Sequence, residues 1–122
     1  MLSVIVVDDE PDVRMVVRAQ LEGDGRFEIV GEAEDGKAAC ELVELHRPNA
    51  VVLDLWMPKR GGLDALPEIV ATSPETRVVV YTAATDADAR REAIALGAHA
   101  CVIKGGVLMS ELPELVARLC GA

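Results

Sequence analysis

Two periodicities of apolar and polar positions take turns along the chain, and their order predicts five strands alternating with five helices. The strand candidates are Leu2–Val7, Phe27–Ala33, Ala50–Leu53, Arg77–Tyr81 and Ala100–Ile103. Three of them contain unbroken β-rich runs (SVIVV, AVVL and RVVVY), the pattern of strands covered on both faces. Helical spacing follows: Val13, Val16, Val17 and Leu21 behind Pro11, then Ala38, Ala39, Leu42 and Val43, then Leu63, Leu66, Ile69 and Val70. A fourth helix is expected from Thr85, where Thr-Asp-Ala-Asp has the form of a capping box, to Gly97, which suits a left-handed terminus. The fifth begins near Ser110 and carries Leu112, Leu115, Val116 and Leu119. The links are short, and no repeat or low-complexity tract interrupts them.

This alternation implies one parallel sheet with helices on both faces, an α/β doubly wound domain. For five strands the flavodoxin-like (βα)5 order 2-1-3-4-5 is expected. All strands then end at one edge, and ligands bind where the strand order reverses. Polar residues collect at that edge: Asp8, Asp9 and Glu10 after strand 1, Asp54 after strand 3, Thr82 after strand 4 and Lys104 after strand 5. Clustered acids repel unless a cation lies among them, and hard oxygen ligands suit Mg²⁺ completed by a substrate phosphate. Asp9 and Glu10 alone would serve equally as N-cap and first-turn charges of helix 1. Convergence with Asp54 and Lys104 is what favours the ion.

Composition narrows the partners. At 122 residues, 51% hydrophobic and 27% charged, the chain is read as one globular domain with a sizeable core. Phe27, Trp56 and Tyr81 are its only aromatics, so that core is aliphatic. A net charge of -9 argues against direct binding of nucleic acid or an anionic membrane surface. Cys40, Cys101 and Cys120 lack metal-ligand spacing and read as free thiols in a reducing cytoplasm. No leader pattern or span-length apolar run occurs, so a soluble, cytoplasmic protein is expected.

Four stretches, in this order and at fitting spacing, are VVDDEP, VVLDLWMPKRGGLDAL, VVVYTAAT and GAHACVIKG. Together they resemble the receiver domain of two-component response regulators across essentially the whole chain. IVGEAEDGKAA and LDLWMP are most similar to receivers of the helix-turn-helix transcriptional type. The resemblance implies that Asp54 is the phosphoacceptor, served by a sensor histidine kinase or phosphotransfer protein. It implies Mg²⁺ on Asp9, Asp54 and the backbone carbonyl of Trp56, with Asp8 acting largely through a water. Lys104 and the Thr82 hydroxyl would take phosphoryl oxygens, and the small Ala83 would leave the group room. The domain would then catalyse only its own phosphorylation and dephosphorylation, as a switch and not a turnover enzyme. Receivers of this kind suggest a homodimer through helix 4, strand 5 and helix 5, where Asp86, Asp88, Arg90, Arg91, Glu111 and Arg118 offer charges. Two positions depart from the family pattern: Cys101 stands where a switch aromatic is usual, and Gly105 where proline is usual. Trp56 is unusually bulky, and it is expected to shield the acyl phosphate from water.

Other classes stay in view. Cys101 and Gly105 favour a receiver-like interaction module that phosphorylation does not regulate. A Mg²⁺-dependent phosphohydrolase of the haloacid dehalogenase type would want a second Asp where Trp56 stands. A flavodoxin-like cofactor binder would want a phosphate loop after strand 1 and more aromatics. With a single domain expected over residues 1–122 and no output domain, the chain reads as a stand-alone docking receiver or the N-terminal piece of a longer regulator.

Overall fold

Alternate side chains of the central strands leave the sheet on opposite sides, and each side meets its own set of helices. The computed structural model describes residues 1–57, 61–82, 86–104 and 110–121. Its elements are β1 (Leu2–Val7), α1 (Pro11–Asp24), β2 (Phe27–Ala33), α2 (Gly36–His46), β3 (Ala50–Asp54), α3 (Gly62–Thr72), β4 (Arg77–Thr82), α4 (Ala87–Ala95), β5 (Ala100–Ile103) and α5 (Leu112–Leu119). The strands pair in parallel in the order β2-β1-β3-β4-β5, as expected. Ile5, Val7, Val51, Leu53, Val78 and Val80 pack against α2, α3 and α4. Val4, Val6, Val52, Val79, Tyr81 and Val102 pack against α1 and α5.

Local chemistry sets the element ends. Pro11 opens α1, Asp35 caps α2 by accepting from the Ala38 N–H (2.9 Å), and Gly97 takes positive φ just beyond α4. Some expectations change. Val16 is 55% exposed, because Val17 and Leu21, four residues apart, face the sheet and position 16 falls off that stripe. β3 and β4 each run one residue further than expected, because pairing continues through Asp54–Tyr81 and Thr82–Ile103. Helix α4 is described from Ala87; Thr85, the expected cap, lies outside the described residues.

Close packing fixes α3 against the end of β3. The Gly62 N–H donates to the Leu55 carbonyl (2.9 Å), and a Cβ on Gly62 would lie 2.2 Å from the Asp54 carbonyl oxygen. The obstacle is backbone and cannot swing away. Gly62→Ala is therefore expected to destabilise the domain by about 1–3 kcal/mol. Urea unfolding should show a lower midpoint at an unchanged slope.

Candidate functional site

Strand register explains why distant residues meet. Val6 and Val7 lie opposite Val52 and Leu53, which brings Asp8 level with Asp54, and Asp54 in turn lies opposite Tyr81. Asp8, Asp54 and Tyr81 follow the same alternation as Val6, Val52 and Val79, so they converge on the α1/α5 side of the edge. Asp8 is 0% exposed and Asp54 2%. The Lys104 ammonium lies between them, 3.3 Å from Asp8 Oδ2 and 3.2 Å from Asp54 Oδ2, with Glu10 at 4.0 Å. Beyond that ion pair, Asp54 Oδ2 has no hydrogen-bond partner among the described residues; Oδ1 accepts from the Trp56 N–H at 3.3 Å.

Electrostatics follow from this burial. Loss of water first, and repulsion from Asp8 second, push the Asp54 carboxyl up to about 6, with Lys104 pulling the other way. Burial acts to lower the Lys104 ammonium, but Asp54 and Asp8 outweigh it, so the group is held above its ordinary value. Asp54 is therefore mostly ionised at neutral pH, beside a Lys104 that stays charged.

Asp8 is bonded on every polar side-chain atom. Oδ1 accepts from the Glu10 N–H (2.8 Å), Oδ2 from the Tyr81 hydroxyl (2.7 Å), and its backbone carbonyl from Arg14 (2.6 Å). Carboxylate oxygens of Asp8, Asp9 and Glu10 lie within 4.8 Å of one another, an all-oxygen donor set of the kind a hard divalent cation takes. Glu10 occupies the N-cap of α1 without a side-chain capping bond, so capping does not account for that acid. In the resting geometry Asp54 meets Asp8 through Lys104 and lies outside this three-residue cluster.

Thr82 is buried, and its hydroxyl has no hydrogen-bond partner among the described residues. Ala83 and Gly105 lie outside those residues. The Trp56 side chain is 55% exposed, and its indole N–H is hydrogen-bonded to Asp86, just before α4. The ring thereby ties the segment after β3 to the start of α4. Cys101, half-buried, lines a cavity of about 620 Å³ with Ala87, Arg90, Arg91, Ile94 and Ile103. Burial raises its thiol above the ordinary value, against the nearby Arg90. Tyr81 is the site residue the sequence reading missed. A lone phenol in an aliphatic strand was the signal, because a buried hydroxyl needs a partner.

Residues 4–117 match the response regulator receiver domain family. The chain belongs to that family. Among curated relatives, the transcriptional regulatory protein PdtaR of Mycobacterium tuberculosis is 39% identical over 112 residues, covering 92% of this chain. This receiver chain spans 54% of PdtaR's length. The signal receiver domain of NarL from the same organism superposes with a TM-score of 0.90 at 30% identity, covering 99% of this chain and 97% of that one. A LuxR-family DNA-binding response regulator from Staphylococcus aureus gives 0.89 at 28% identity, covering 98% and 99%. Likeness to receivers of transcriptional regulators thus agrees with the motif reading. Among the described residues, no helix is long and apolar enough to cross a membrane.

Proposed function

We propose that this receiver is a phosphorylation-dependent switch in which Asp54 accepts a phosphoryl group. The observation that carries the reading is the Lys104 ammonium set 3.2 and 3.3 Å from two buried strand-end carboxylates, Asp54 and Asp8. An Asp54 oxygen attacks phosphorus of a phosphohistidine on a sensor kinase or phosphotransfer protein. The phosphorus–nitrogen bond breaks, its electron pair returns to the imidazole, and an acyl phosphate forms. With its carboxyl near 6, Asp54 is mostly ionised at neutral pH and available as the nucleophile. The barrier lies in bringing two anions together, so charge neutralisation is the main requirement.

The oxygen donors fit Mg²⁺, which Asp9, Asp54 and the Trp56 carbonyl would hold, with Asp8 one water removed. The ion supplies positive charge to the phosphoryl oxygens. Lys104 leaves the carboxylates for one phosphoryl oxygen, and the Thr82 hydroxyl, without a partner among the described residues, donates to another. Repositioned in this way, Thr82 and Lys104 alter the surface beyond β4 and β5. A cytoplasmic setting, a homodimer through α4, β5 and α5, and no direct nucleic-acid binding by this domain belong to the same reading.

The test is intact mass after incubation with acetyl phosphate. One phosphoryl adduct with Mg²⁺, mapping to Asp54 and absent with a chelator, is the expected result; an adduct elsewhere or none, with phosphoramidate as well, overturns it. The cavity beside Cys101 favours a second reading, a docking module indifferent to phosphorylation. Identical partner affinity of the phosphorylated and unphosphorylated forms would establish that alternative.

A further inference from the structure

We propose that Tyr81 is a positioning residue for the Mg²⁺ site, its hydroxyl holding the Asp8 carboxylate in the orientation that serves the ion after Lys104 has departed. The inference rests on the phosphoacceptor reading above. Tyr81 is fully buried, and its hydroxyl lies 2.7 Å from Asp8 Oδ2 and 3.1 Å from the Val7 carbonyl oxygen. The one hydroxyl proton therefore favours the carboxylate. Packing alone does not call for a phenol here. Phenylalanine would fill the same space without burying an oxygen that needs a partner.

Two groups share Asp8 Oδ2, and they differ in how firmly they are fixed. Lys104 reaches it at 3.3 Å from a flexible stem that is 28% exposed, and the same ammonium is needed at a phosphoryl oxygen. Tyr81 reaches it at 2.7 Å from within β4, the strand paired with β3 at Asp54, and has no second task at the site. The Lys104 ammonium also lies 5.1 Å from the Tyr81 ring centre, so the ring face lines the place from which the cation leaves. When Lys104 goes, the Glu10 backbone N–H and the Tyr81 O–H remain as the donors to the Asp8 carboxylate among the described residues. Groups that orient a metal ligand in this way change affinity about 10–100-fold when removed.

Tyr81→Phe should weaken Mg²⁺ binding about tenfold, read through the fluorescence of Trp56, the only tryptophan, and through calorimetry. In an Asp8→Asn background the same substitution should change the affinity less than twofold, because the group it positions is gone. Equal effects in both backgrounds, or none in the wild type, overturn the proposal. Should Tyr81→Phe fail to fold, wild-type protein labelled at tyrosine ¹³Cζ gives one resonance, since Tyr81 is the only tyrosine. That resonance should shift with Mg²⁺ at the concentration that changes the Trp56 signal; a stationary resonance overturns the inference. Wild type that binds no Mg²⁺ would remove the phosphoacceptor reading as well, whereas binding that is indifferent to Tyr81→Phe removes this inference alone.

Discussion

Asp54→Asn is expected to take up no phosphoryl group and, at neutral pH, to unfold less readily than the wild type. Both effects have one cause. The Asp54 carboxyl rises from 3.8 to about 6 because burial and Asp8 oppose its ionisation more than Lys104 favours it. A group whose folded value lies above its unfolded value costs nothing below about pH 4, where both states hold the proton. Its cost grows between pH 4 and 6 and is complete above that window. At about 1.4 kcal/mol per pKa unit, the cost at pH 7 is roughly 3 kcal/mol. Asparagine keeps the shape, still accepts from the Trp56 N–H, and leaves Lys104 paired with Asp8. Because the Lys104 attraction is lost together with the repulsion, the net gain should be about 1–3 kcal/mol. Urea curves in chelator at pH 7 and pH 4 decide the matter. A gain at pH 7 that vanishes at pH 4 is expected; a loss at both would mean that Asp54 is a stabilising acid and not a strained nucleophile. Trading stability for a reactive group is a common arrangement at functional sites.

The fold and most of the site were legible because each depends on short-range pattern. Runs such as AVVL and RVVVY declare buried parallel strands, and the residue after such a run must lie at the sheet's ligand-binding edge. Asp8, Asp54, Thr82 and Lys104 could therefore be gathered without knowing any register. What register adds is the facing of side chains. Tyr81 reads as one more strand residue until its pairing with Asp54 puts the phenol on the acids' side of the sheet. Trp56 illustrates the same limit. Its partner, Asp86, is 30 residues further along the chain, and nothing local announces a hydrogen bond over that separation. The expected role of Val16 failed by one position, which on a helix is about 100° of rotation.

Lys104→Met is expected to be the most destabilising single change at this edge, and the loss should itself be reversible by Mg²⁺. Among the described residues, the ammonium is the one cation ion-paired with the carboxylates of both Asp8 and Asp54. Methionine matches its length and leaves two nearly fully buried carboxylates facing each other without a counter-charge. Removing one partner of a buried ion pair costs about 3–5 kcal/mol. Lys104 is 28% exposed, so roughly 2–4 kcal/mol is the fitting range here. Without the ammonium, burial first and the repulsion from Asp8 second meet only the Trp56 N–H as opposition, so the Asp54 proton is held to still higher pH. The deficit relative to wild type should therefore be full at pH 8, shrink as Asp54 protonates, and be small at pH 4. Mg²⁺ offers the same acids a different counter-charge. At a concentration 100 times its dissociation constant it should restore about 2.7 kcal/mol. Chemical denaturation at pH 8 with Mg²⁺, with chelator and with matched Na⁺ separates specific rescue from screening. If Na⁺ restores stability as well as Mg²⁺ does, the acids are only a patch of negative charge, and the site has no preference for a divalent ion.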